Sequence, residues 1–129
     1  EHITRYRNRV SGPILDRIDL QVEVPALDPK KIFQEAPTRH RHEHDAAIDQ
    51  IKQARAFRLK RLQADPQQTD KNALDPDAKL LLMKAAQTLH FSARAIQKLI
   101  RVGRTIADLD CAETISRRQL EEALMLRQN

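Results

Sequence analysis

At 129 residues the chain has room for one ordinary domain, or a domain with an appendage. It has no apolar run of membrane-spanning length and no signal-peptide pattern in its first residues, and with Cys111 its only cysteine it cannot form an internal disulfide, which suits a reducing cytoplasm. A net charge of +5 draws polyanions such as nucleic acid, nucleotide phosphates or acidic partner surfaces, while two glycines argue against a hairpin-rich β fold and 3% aromatics leave any core aliphatic.

Residues 1–10, EHITRYRNRV, place Arg5 and Arg9 at helical i, i+4 spacing with Ile3, Tyr6 and Val10 on a neighbouring face. Gly12-Pro13 breaks that regularity. Ile18, Leu20, Val22 and Val24 then alternate with Asp19, Gln21 and Glu23, which predicts a half-buried strand over 18–24 stopped by Pro25. One strand cannot satisfy its own ladder, so its partners are expected elsewhere. Because the chain opens on Glu1 with what reads as mid-domain sequence, it is expected to be a piece of a longer protein. Pro25, Pro29 and Pro37 mark 25–38 as a connector.

From about Asp45 to Ala64 the pattern is helical, with Ile48, Ile51, Leu59 and Leu62 on one stripe. Pro66 to Asn72 reads as a polar, loose stretch. Asp75-Pro76-Asp77 supplies an N-cap, a first-turn proline and a first-turn acid ahead of Leu80, Leu81, Leu82 and Met83. Ser92 caps a third helix running to about Leu109. Ser116, with Gln119 three residues on, opens a fourth whose core face is Leu120, Ala123 and Leu124. The expected fold is mainly α: an arm with one strand, then a four-helix module without internal repeat.

The third helix, SARAIQKLIRVGRTIADLD, carries most of the chemistry. At roughly 100° per residue, Ala93, Ile96, Leu99, Ile100, Gly103, Ile106 and Ala107 share one broad face. Arg94, Lys98 and Arg101 gather opposite, with Arg104 at the edge. Lys98 and Arg101 read most simply as a solvated flank. Arg94 stands in the first turn, where the dipole disfavours a cation but free backbone N–H groups welcome an anion such as a phosphate. Arg17, between a Gly-Pro break and a strand start, has the planar, permanently charged fork suited to a phosphate, although an ion pair with Asp16 or Asp19 is the simpler reading of its spacing.

Other constellations carry less. His40, His42 and His44 alternate, so they share a face only if extended, and no Cys stands near; a polar connector is expected there and no metal site. Cys111 reads as a small residue at a helix end rather than a reactive thiol. The chain contains no GxxxxGK[ST] loop and no apolar strand ending in paired acids for Mg²⁺, so by itself it is not expected to hydrolyse ATP.

RYRNRVSGPILDRIDLQVEVPAL, followed by SARAIQKLIRVGRTIADLD and ISRRQLEEAL, resembles the C-terminal part of a magnesium-chelatase-like AAA+ ATPase, closest to the bacterial ComM group implicated in DNA branch migration during natural transformation. The resemblance implies that residues 1–36 are the C-terminal edge of an ATPase core and that 37–129 form its helical lid. It implies that Arg17 is similar to an arginine finger acting on a neighbouring subunit, with Asp16 in a positioning role. Arg94 resembles the sensor-2 arginine, contacting phosphate in its own subunit. It further implies ATP and Mg²⁺ as cofactors of the parent protein, a cytoplasmic homo-oligomeric ring such as a hexamer, and DNA as a partner without any membrane. Two other readings stay open: the motor subunit of a magnesium chelatase, and a non-enzymatic basic module gripping nucleic acid through Arg94, Lys98, Arg101 and the Arg5–Arg9 segment, without the aromatic platform that stacks single-strand bases.

Overall fold

Three helices start where a capping side chain stands. The Asp75 carboxylate accepts the Ala78 N–H at 2.6 Å, and Pro76 and Asp77 follow in the first turn. Ser92 Oγ accepts the Ala95 N–H at 3.2 Å. The Ser116 N–H donates to Gln119 Oε1 at 2.8 Å, the reciprocal half of a capping box. In the computed structural model, which describes residues 17–22, 24–26, 39–64 and 73–127, these caps open α2 (Pro76–Thr88), α3 (Ala93–Leu109) and α4 (Arg117–Met125). They are preceded by α1 (Arg39–Ala64).

α3 packs on α4, α1 lies against α3, and α2 lies against α4. Ala78 and Leu82 of α2, Leu99 and Ile106 of α3, and Leu120, Ala123 and Leu124 of α4 are buried together. Leu120, Ala123 and Leu124 thus form the core face expected from their spacing. Gly103 stands where α3 passes the α3–α4 loop, and a methyl there would sit 3.2 Å from Ile115 Cγ2. Ile115 is fully buried. Its N–H donates to Ala73 O at 2.7 Å and its carbonyl accepts from Asp75 N–H at 3.0 Å, a parallel bridge that ties the segment before α2 to the loop before α4.

α2 and α3 end alike. Phe91 N–H donates to Ala86 O (3.2 Å), and Ala112 N–H donates to Ala107 O (2.8 Å), each closing a Schellman turn. The residues at the turn, His90 and Cys111, have φ of 49° and 54°, the left-handed region that favours glycine. Cys111 is therefore an exposed helix-end residue, as its position suggested. Because a side chain costs about 1–2 kcal/mol in this region and glycine gives back part of that as chain entropy, His90→Gly and Cys111→Gly are each expected to stabilise by about 0.5–1 kcal/mol. Denaturant midpoints at unchanged m-value would check this.

Two expectations are corrected. The first concerns α1, which begins at Arg39 rather than near Asp45, so the stretch carrying His40, His42 and His44 is helical and not a connector. No proline or glycine lies between Pro37 and Ala64 to stop it. Its core stripe also differs: Ile48, Ile51 and Leu59 are exposed, while Ala54 is buried and Phe57, Arg61 and Leu62 are half-buried. The helix leans on α3 through a face built around Arg61, which Asp108 draws inward (N···O 3.2 Å).

The second concerns residues 18–24. Among the described residues no strand forms, and Ile18, Leu20, Val22 and Val24 are exposed. A ladder needs a second strand, and among the described residues the segment meets none; its Gln21 N–H donates instead to Leu126 O just past α4, at 2.8 Å. Asp16 and the Arg5–Arg9 segment lie outside the described residues. No helix among those described is long and apolar enough to cross a membrane.

Candidate functional site

Arg94 is the second residue of α3, and its side chain is exposed. No acidic residue shares that first turn. The sequence thus sets a cation at the positive end of a helix dipole, where it opposes rather than assists helix formation. Lys98 and Arg101 follow at one-turn intervals on the same flank, Arg101 exposed and Lys98 half-buried. Arg127, just beyond α4, lies over the Phe91 ring at 5.6 Å, immediately before the Ser92 cap. The N-terminal end of α3 is therefore rimmed with cations.

The arm crosses this flank. Asp19 Oδ1 lies 2.9 Å from Lys98 Nζ, with the lysine side chain only 16% exposed and the aspartate 46%. Arg17, two residues earlier, is exposed in a turn. Asp19 was a possible partner for Arg17 by sequence distance; it pairs with Lys98 instead, and Lys98 is not the solvated flank residue expected. The Lys98 ammonium 2.9 Å away, with Arg101 and Arg127 nearby, holds the Asp19 carboxyl below its ordinary pKa.

A group whose pKa is lowered on folding contributes stability above its unfolded value and loses it as pH falls through the folded one. Docking of the arm is therefore expected to be fully present above the ordinary value of 3.8 and to be lost below it. The half-exposed pair is also screened, so salt is expected to weaken it at neutral pH. Amide exchange at Gln21, followed across pH and ionic strength, measures both effects.

Arg104, placed at the edge of the basic flank by its angle on the helix, lies in the core with 6% exposure. Its guanidinium donates to Glu113 O at 2.6 Å and to Ala112 O, and meets Asp108 Oδ1 at 3.1 Å. Arg61 of α1 reaches the same carboxylate, Nε to Oδ1 at 3.3 Å and Nη2 to Oδ2 at 3.2 Å. Burial pushes the Arg104 pKa down and the Arg61 charge adds to this, while Asp108 opposes both. Sequence reasoning missed this group. The only signal was an arginine and an aspartate at i, i+4 beside a glycine within the core face.

Among the described residues no three His, Cys, Asp or Glu side chains gather around a point that could hold a metal ion. What the α3 flank can do chemically is bind an anion, through exposed guanidiniums beside helix-terminal N–H groups.

Residues 42–127 match the family model for the C-terminal region of magnesium chelatase subunit ChlI, and residues 1–32 match the model for magnesium chelatase subunit ChlI. The chain is 36% identical to the competence protein ComM of Haemophilus influenzae, over 96% of its own length and 25% of that protein. It is 36% and 37% identical to proteins named YifB from Salmonella typhimurium and Escherichia coli, over 98% of its length and 26% of each. The chain thus spans about a quarter of the length of these relatives.

Proposed function

The chain belongs to the magnesium-chelatase family of AAA+ proteins, in its ComM-like group, and on that premise we propose that it is the lid and adjoining core edge of a ring-forming ATPase that acts on DNA. Arg17 is the finger offered to a neighbouring subunit's γ-phosphate, and Asp16 helps to position it. Arg94 is the sensor-2 residue, contacting phosphate in its own subunit. The phosphate loop and the Mg²⁺ ligands are supplied by sequence outside this chain, which contains neither motif. The ring, a hexamer in this reading, works in the cytoplasm and couples ATP hydrolysis to remodelling or translocation of DNA, as in branch migration during natural transformation.

The observation that carries this reading is Arg94: an exposed cation placed against the helix dipole, with no acidic neighbour in its turn. Such a residue serves an external anion better than it serves the fold. Phosphoryl transfer is catalysed mainly by positioning and by charge on the transferring oxygens, the two things an arginine on a lid and one at a subunit edge can supply. The test is ATP turnover by the full-length protein with Arg17 or Arg94 replaced by alanine: near-normal turnover in both defeats the assignment.

A free-standing nucleic-acid grip through the same flank is the weaker reading, because Lys98 is spent on Asp19. Affinity for DNA that rises steeply at low salt in this chain alone would favour it. A chelatase motor would instead associate with a metal-inserting subunit.

A further inference from the structure

We propose that Asp19 and Lys98 are positioning residues that hold the segment carrying Arg17 against the helix carrying Arg94, so that the arginine serving a neighbouring subunit and the arginine serving its own move as one body. This rests on the roles given to Arg17 and Arg94 above. Lys98 stands one helical turn after Arg94 and Asp19 two residues after Arg17, and the two charged groups meet at 2.9 Å. A second tie, Gln21 N–H to Leu126 O at 2.8 Å, fixes the register of the segment against the end of α4.

The attachment is polar, which decides its meaning. Ile18 and Leu20 are exposed, and none of the segment's described residues belongs to the hydrophobic core or to the partly buried hydrophobics packed against it. Removing the ion pair therefore leaves the helical core intact. It leaves Lys98, largely withdrawn from water, beside Arg101 and Arg127 without the carboxylate that all three face. Among the described residues, the backbone tie that remains to it is Gln21 N–H to Leu126 O. A finger displaced by about 1 Å can lose roughly a hundredfold in rate.

The experiment uses the full-length protein with Asp19→Asn, Lys98→Met, and the exchange Asp19→Lys with Lys98→Asp. Each single variant is expected to lower kcat for ATP by roughly ten- to a hundredfold, with KM nearly unchanged and the thermal midpoint retained. Faster amide exchange at Gln21 should accompany the loss, and the exchanged pair should recover most of kcat. A kcat within about twofold of the parent in either single variant overturns the proposal, as does an exchanged pair no better than the singles. Arg17→Ala and Arg94→Ala run alongside. Turnover surviving in both removes the underlying reading, whereas turnover lost in them but kept in Asp19→Asn and Lys98→Met removes only this one.

Discussion

Asp108→Ala is expected to destabilise the helical module by about 3 kcal/mol, the lower end of the 3–5 kcal/mol range for breaking a buried charge pair. Asp108 is 7% exposed and holds two guanidiniums, from Arg61 on α1 and from Arg104 on its own helix. Arg104, itself 6% exposed, would keep the carbonyls of Ala112 and Glu113 but lose its counter-charge. Its burial already disfavours the charged form, and the carboxylate is what opposes that cost. The lower end applies because Arg61 keeps 16% of its side chain in water.

Single and double variants separate the two arms of this group. Arg61→Met severs α1 from Asp108 while leaving the Arg104 contacts in place, so it should cost about 1 kcal/mol, as expected for a hydrogen bond to a charged group at a partly exposed site. Its effect should fall on amide protection in the C-terminal half of α1. The coupling between Asp108 and Arg104, read from the double-mutant cycle with Arg104→Met, should exceed that between Asp108 and Arg61. For a module of this size the Asp108→Ala loss corresponds to a fall in Tm on the order of 12–24 °C. A fall of a few degrees would mean that the carboxylate is dispensable.

The parts of this structure that could be read from the sequence are those whose causes lie within a few residues. Asp75-Pro76, Ser92 and the Ser116–Gln119 pair fix three helix starts through contacts no more than three residues apart, and these helices begin where expected. The face of α4 followed from spacing alone. The inward face of α1 did not, because it is selected by a contact with Asp108 that lies 47 residues from Arg61. Periodicity assigned Ile48, Ile51, Leu59 and Leu62 to the core, and of these only Leu62 is half-buried. Arg104 was misplaced for a related reason: its acceptors are backbone carbonyls in the loop after α3, and carbonyls have no signature in side-chain sequence. At the candidate site, the arginines Arg17 and Arg94 stood out by residue type and by position at a turn and a helix start. The Asp19–Lys98 pair did not, since nearness along the chain favoured Arg17 as the partner of Asp19. The alternation over 18–24 has the strand period but meets no ladder among the described residues, so its local pattern had nothing to act on.

Arg17→Ala in the full-length protein is expected to cut ATP turnover by roughly 10³–10⁵, the contribution an arginine finger makes to phosphoryl transfer. Arg94→Ala is expected to cost orders of magnitude as well. Neither loss should be matched by a loss of stability. Both side chains are exposed, where substitutions usually stay within about 0.5 kcal/mol. For Arg94 the sign is reversed: removing a cation from the first turn of α3 relieves an unfavourable dipole interaction, so the fold should gain a few tenths of a kcal/mol while activity falls. A residue kept for structure would lower both together. Arg17→Lys should restore little, since an ammonium lacks the planar fork that meets two phosphate oxygens. Mixed rings then test the division between subunits. In a ring of Arg17→Ala and Arg94→Ala subunits, a site on the former that faces the latter has its own Arg94 and its neighbour's Arg17. Such rings should recover part of the turnover that neither variant shows alone. If both arginines served the same subunit, no site in the mixture would be complete, and the activity would stay at the level of the separate variants.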